Sequence, residues 1–217
     1  MGAGASGRGA VSRPRYPVFL DLRGKPVLVV GAGRVAERKI RGLLECGARV
    51  RVVAPGAAEG VRGFAEAGAV EWVRRGFAPE DLDGMVLAFV ATSDPAVNRE
   101  AAAEAAARGV WANVADDPEG SPVHVPAVWR QGDVAVAVST AGASPELAAW
   151  LRDRIAQALP RRLGDLAEFV RRVRQMAQPG AVSRLLAEGV ADDLARGDRA
   201  GAERKAAAVL SGPGRQG

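Results

Sequence analysis

Residues able to do chemistry gather at four places in this chain. The first is Val27-Leu28-Val29-Val30-Gly31-Ala32-Gly33-Arg34-Val35-Ala36, where an apolar strand segment runs directly into a glycine turn. The spacing Gly-x-Gly-x-x-Ala ahead of a helix suits the pyrophosphate of a dinucleotide. Gly31 permits the tight turn, Gly33 removes the Cβ that would stand in the way of the phosphates, and Ala36 lets the helix sit close to the sheet. Arg34 and Val35 then open a helix whose N–H groups and partial positive charge face the anion. The second place is Asp116-Asp117 before Pro118, which fits a general base just past a strand or an ordinary Asx turn. The third is His124, the sole histidine, between Val123 and Val125 in an expected strand. It suits a proton relay, a contact to an incoming metal or substrate, or a packed pocket residue. One histidine does not make a metal site, so none is expected. The fourth is the small-residue run from Ser139 and Thr140 to Ser144, whose N–H groups suit a substrate carboxylate and whose Ser144 suits a helix N-cap.

The elements that must position these groups follow from the hydrophobic rhythm. Val27–Val30, Val50–Ala54, Val70–Val73, Val86–Ala91 and Trp111–Val114 read as strands, with helices Val35–Cys46, Ala57–Ala67 and Pro95–Arg108 between them. Such alternation predicts an α/β, Rossmann-type parallel sheet with right-handed crossovers. Asp94 before Pro95 marks a helix start. After Asp116 the rhythm breaks: Pro118, Pro122 and Pro126 punctuate a loop-rich stretch, and Val134–Ser139 reads as one more strand. Ser144-Pro145 opens a helix carrying Leu147, Leu151 and Ile155 on one face, and Pro160 stops it. Beyond that the chain is helical and Arg-rich, with Gly180, Gly189 and Gly197 as breaks. The expected organisation is therefore disordered ends at 1–15 and 211–217, a dinucleotide-binding domain at 16–115, a connecting and dimerisation region at 116–145, and a small helical C-terminal domain at 146–210.

Composition narrows the classes. Of 217 residues, 48% are hydrophobic and 25% charged, the mixture of an ordinary globular protein. No apolar run approaches the roughly 20 residues that span a bilayer, and the first residues lack a secretory apolar core, so a cytoplasmic protein without membrane attachment is expected. The single Cys46 excludes an internal disulfide and a cysteine metal cluster, and reads as a packed thiol. The net charge of +5 is spread over arginines interleaved with acids, without aromatic platforms, which argues against nucleic acid. An anionic small substrate accounts for the excess equally well, and Arg161-Arg162 and Arg171-Arg172 suit either such a ligand or a solvated face. The second strand ends Arg51-Val52-Val53-Ala54-Pro55 with no acid to hold an adenosine ribose, so Arg34 and Arg51 leave a 2′-phosphate open, while Ala54 and Pro55 border the adenosine.

These residues resemble a specific family. The segment YPVFLDLRGKPVLVVGAGRVAERKIRGLLECGARVRVVAP, followed by Ala91-Thr92-Ser93-Asp94 with Asn98, by Asn113-Val114-Ala115-Asp116 and by Val136–Pro145, is similar to the precorrin-2 dehydrogenase / sirohydrochlorin ferrochelatase family, the N-terminal module of siroheme synthase. The resemblance runs from about Tyr16 to Pro160. It implies NAD-dependent oxidation of the tetrapyrrole precorrin-2 to sirohydrochlorin in siroheme biosynthesis, with ferrous iron as a further substrate where chelation is also carried out. It implies a homodimer, NAD despite the non-acidic second strand, Thr92 and Asn113 beside the cofactor, and a catalytic aspartate at Asp116. Three departures stand out: Thr140 at the position of a regulatory phosphoserine of some relatives, Ala141-Gly142 for the usual Gly-Gly, and Pro122-Val123 where many relatives have Ser or Asn then Phe. No methyltransferase region follows, so methylation is expected from another protein. A different class, an NAD-sensing regulatory module without chemistry, shares the Rossmann half but normally keeps the second-strand acid.

Overall fold

Valine-rich runs bounded by Gly and Pro leave their backbone groups no partner except one another, and five of them pair. In the computed structural model, which describes residues 14–115, 117, 120–176 and 179–211, β1 (Pro26–Val30), β2 (Arg49–Val53), β3 (Val70–Val73), β4 (Leu87–Val90) and β5 (Trp111–Val114) form one sheet in the order β3-β2-β1-β4-β5. All four pairings are parallel. Each crossover therefore needs a covering element: α1 (Arg34–Glu45) after β1, α2 (Glu59–Glu66) after β2, a 3-10 turn at Pro79–Leu82 after β3, and α3 (Pro95–Ala107) after β4. Successive strand residues point to opposite faces. Val27 and Val29 accordingly join Ala36, Ile40 and Leu43 of α1 in one buried layer, while Leu28 and Val30 join Ala101 and Ala105 of α3 in the other. Asp94 caps α3 by accepting from the Ala96 N–H at 2.8 Å, with Pro95 at the first helical position. The α/β parallel sheet expected from the sequence is the one observed.

The chain divides into two compact units at Val125–Pro126. In the second, β6 (Ala127–Gln131) and β7 (Val134–Val138) form an antiparallel ribbon turning at Gly132, whose φ is +57°. Helix α4 (Pro145–Ala158) packs along both strands. Four further helices, α5 (Leu163–Met176), α6 (Ala181–Ala187), α7 (Val190–Arg196) and α8 (Arg199–Ser211), enclose Phe169, Val173, Leu185, Val190, Leu194 and Ala202. Gly180 and Gly189 sit at positive φ immediately before α6 and α7, and Gly197 at positive φ ends α7, as the glycine breaks predict. The buried Asp193 is held by Lys205 and Arg196, both at 2.7 Å, which keep its carboxyl below the usual range and tie α7 to α8.

Two expectations need correction. Strand β6 was not foreseen, because Trp129, Arg130 and Gln131 give no clean alternation and three prolines precede it. His124 is not in a strand: Pro122 and Pro126 flank residues 123–125, which pair with no ladder. Among the described residues no helix is long and apolar enough to cross a membrane.

Candidate functional site

All five parallel strands end on the same edge of the sheet, and the order β2-β1-β4 makes the β1/β4 boundary the point where successive connections leave in opposite directions. Open α/β sheets bind ligands in that crevice. Gly31 and Gly33 lie there and do different work. Gly31 has φ +101°, and a Cβ on it would come within 2.5 Å of the Ala91 carbonyl oxygen and 2.8 Å of its carbon. The fold itself therefore requires glycine at 31, where the ends of β1 and β4 meet. Gly33 is extended, at φ −82° and ψ −172°, and a Cβ on it would meet nothing within 4 Å. The protein does not need glycine there; the space above it is open for something else. Gly33 is also the N-cap of α1 and supplies no side-chain cap, so the first-turn N–H groups, including those of Arg34 and Val35, face the same space. Val35 is 44% exposed, large for a valine at the start of a core-facing helix. These residues fit a pyrophosphate: a Cβ-free approach, unclaimed donors, and a helix dipole end.

Neighbouring loops frame this turn. Ala58 N–H bonds the Ala32 carbonyl at 2.9 Å, bringing the loop after β2, with Ala54 and Pro55, alongside. At the end of β4, the Thr92 hydroxyl donates to Oδ1 of Asn98 at 2.7 Å, the same Oδ1 accepts from Thr92 N–H at 3.3 Å, and Nδ2 of Asn98 returns a bond to the Thr92 carbonyl at 3.3 Å. Asn98 is 3% exposed, so this clasp is shielded and fixes the Ala91–Ser93 backbone against the turn. Asn98 is thus the positioning partner of Thr92. Asn113, on β5, donates through Nδ2 to the Val123 carbonyl at 2.8 Å, and Val123 N–H bonds Ala112 at 3.2 Å. Its amide thereby holds the chain around His124 onto the sheet.

Asp116 lies outside the described residues. What can be described is the frame around it. Ser121, 2% exposed, accepts from the Val114 N–H at 2.9 Å and donates to the Asp117 carbonyl at 2.6 Å, while Asp117 Oδ1 accepts from Gly120 N–H at 2.8 Å. A buried hydroxyl therefore pins the segment just after β5 at both ends. Nothing in the sequence marks Ser121, because its role depends on the loop closing back on the strand.

Two basic groups invite comparison with the charges read from the sequence. Arg51 is occupied, bonded through Nε to Glu71 at 2.9 Å, whereas Arg34 is exposed. Lys39 on α1 is half-buried with its Nζ 5.5 Å from the Phe89 ring centre; burial, aided by Arg38, pulls its pKa down to about 8 from 10.5. Asp81 is buried too. Burial opposes its ionisation, but hydrogen bonds from Arg75 and the Ala78 N–H outweigh it and hold the carboxyl below the ordinary range.

Ser139, Thr140 and Ser144 belong to the second unit. Thr140 Oγ1 donates to the Ser144 carbonyl at 2.9 Å and accepts its N–H at 3.2 Å, Ser139 Oγ accepts from Ala141 N–H at 3.2 Å, and Ser144 Oγ caps α4 through Leu147 N–H at 3.0 Å. The turn's hydroxyls are committed to its own shape. Of the basic pairs, Arg162 meets Asp165 at 2.8 Å, Arg171 pairs with Asp133, and Arg172 lies over the Phe169 ring. Among the described residues no three His, Cys, Asp or Glu side chains cluster as metal ligands would.

Comparison with known proteins agrees with this layout. Residues 18–127 match the family model described as putative NAD(P)-binding, and residues 131–158 match the central region of sirohaem biosynthesis proteins. A siroheme synthase of Chromobacterium violaceum is 45% identical over 154 residues, 71% of this chain and 33% of that protein. Siroheme synthase 1 of Aeromonas hydrophila is 37% identical over 206 residues, 91% of this chain and 44% of that protein. The chain thus spans a third to under a half of such relatives. A solved structure of SirC, a precorrin-2 dehydrogenase, superposes with a TM-score of 0.74 at 27% identity, covering 89% of this chain and 98% of that one.

Proposed function

We propose that this chain, which belongs to the putative NAD(P)-binding family and matches the central region of sirohaem biosynthesis proteins, oxidises precorrin-2 to sirohydrochlorin with NAD. The observation that carries the proposal is the near end-to-end match with a precorrin-2 dehydrogenase, in a chain whose Gly33 turn is open where a dinucleotide needs space.

Oxidising the macrocycle removes a hydride and a proton. NAD, when bound, supplies the hydride acceptor. The protein's own residues do the rest. The open face of Gly33 and the first N–H groups of α1 hold the pyrophosphate, and the Thr92–Asn98 clasp keeps the β4 loop from moving into the crevice. Ala54 and Pro55 border the adenosine. Asp116, two residues beyond β5 in sequence, takes the proton as general base, and Ser121 holds the segment that carries it. His124 is assigned to the substrate side. Where iron is inserted into sirohydrochlorin as well, the same carboxylate receives the displaced pyrrole protons. We also propose a symmetric homodimer formed through α4, where Leu147 and Trp150 are 45% and 58% exposed; light scattering should give twice the chain mass, and a monomer at micromolar concentration would refute it.

The test of the base is Asp116→Asn beside Asp117→Asn. The first should lower precorrin-2 oxidation by about 10²–10⁴, typical of a lost general base, with NAD affinity unchanged, and the second should leave the rate near wild type. Full activity in Asp116→Asn would remove the assignment.

A further inference from the structure

β2 ends at Val53, and Ala54 just after it is buried, so no acid is available there to hold a ribose 2′-hydroxyl or to repel a phosphate in its place. The neighbouring strand is in register: Val53 pairs with Val73, and Ala54 N–H bonds the Val73 carbonyl at 3.2 Å. The residue that follows in β3's direction, Arg74, therefore comes to lie beside Ala54. Trp72 fixes it there. Its indole Nε1 donates to the Ala54 carbonyl at 3.0 Å, and the Arg74 guanidinium lies over the same indole, 4.4 Å from the ring centre. Trp72 thus links the strand end to the cation.

Arg74 is exposed, and what separates it from its neighbours is that its charge is unspent. Arg51 is bonded to Glu71 and Arg75 to Asp81, whereas among the described residues Arg74 makes no ion pair. A guanidinium over an aromatic ring and outside any ion pair keeps an N–H fork that can receive a phosphate through two parallel bonds. We propose that Arg74, laid on Trp72 beside Ala54, receives the 2′-phosphate of NADP, so that this site takes NADP as well as NAD. Arg51, one of the two candidates suggested by the sequence with Arg34, is bonded to Glu71 instead. The proposal rests on reading the Gly31–Val35 turn as the dinucleotide site.

Equilibrium binding to the full chain, by calorimetry at low salt, tests it without turnover. The probes are NAD, NADP, 5′-AMP and adenosine 2′,5′-bisphosphate, with wild type and Arg74→Ala. In wild type the NADP dissociation constant should lie within about tenfold of that for NAD. In Arg74→Ala, NADP and the bisphosphate should weaken by about ten- to a hundredfold, the range of charge-assisted hydrogen bonds, while NAD and AMP change by less than about twofold. Arg74→Lys, which keeps the charge but not the fork, should fall between. An NADP affinity unaffected by Arg74→Ala, or a wild type binding NADP more than about tenfold worse than NAD, would overturn the proposal. Failure of all four probes to bind wild type would overturn the dinucleotide reading, and this assignment with it.

Discussion

Gly31 and Gly33 sit two residues apart in one turn, and their substitutions should fail in opposite ways. At Gly31 an alanine must adopt φ near +101° and place its Cβ 2.5 Å from the Ala91 oxygen. Neither partner can yield cheaply, since Gly31 N–H is bonded to Val53 at 2.9 Å and Ala91 N–H to Val30 at 2.8 Å. Backbone strain of this kind is about 1–3 kcal/mol, and weakening one strand-end hydrogen bond adds about 1 kcal/mol. A total of roughly 2–4 kcal/mol, at about 2–4 °C per kcal/mol for a chain of this size, lowers Tm by about 5–15 °C. The Cβ of Gly33→Leu meets no atom within 4 Å and no φ penalty, so the unliganded Tm should fall by less than about 3 °C, the loss of a favourable N-cap. NAD should respond in reverse. At a concentration of 100 times Kd, a ligand stabilises by about 2.7 kcal/mol, a Tm rise of about 5–10 °C. Wild type and Gly31→Ala should both show a rise, and Gly33→Leu none, because the leucine occupies the pyrophosphate's place. Thermal unfolding with and without NAD reads both effects. A full NAD-induced rise in Gly33→Leu, or a Gly33→Leu as destabilised as Gly31→Ala, would refute the division of labour.

Two further predictions come from buried groups. Lys39 has a folded pKa of about 8, below its ordinary 10.5, so between those values the unfolded chain binds more protons and stability should rise with pH; below pH 8 the charged amine weakens the fold, and Lys39→Met should raise Tm at pH 7 and abolish the rise between pH 8 and 10.5, whereas a wild-type Tm flat across that window would contradict the burial argument. Ser121→Ala leaves the Val114 N–H without its acceptor, which should lower stability by about 1–3 kcal/mol; kcat should fall with the KM for NAD unchanged, and a variant with normal kcat would show that the hydroxyl supports only the loop.

How far the sequence could be read depended on how local each feature is. The Gly31–Ala36 turn, the Asp94 cap and the glycine breaks at 180, 189 and 197 are decided by a few adjacent residues, and the structure forms them as expected. The parallel sheet followed from β-branched runs spaced by helices. β6 did not, because its pattern shows only when its partner Val134–Val138 is placed beside it. His124 misled through its valine neighbours, although prolines at 122 and 126 deny the segment a ladder. The site shows the same limit. Arg34 and Arg51 looked equivalent until the pairing of β2 with β3 put Glu71 against Arg51 and brought Arg74 to Ala54. Ser121 and Asn98 act on residues six or seven positions away through loops that close only in three dimensions.

Wild-type turnover decides whether this chain oxidises precorrin-2. Purified protein, NAD and precorrin-2 are mixed without oxygen, and NADH and sirohydrochlorin are followed together. Both should appear, in equal amounts and only when all three components are present. NAD that binds tightly while neither product forms would contradict it, and is the result a nucleotide-sensing module would give.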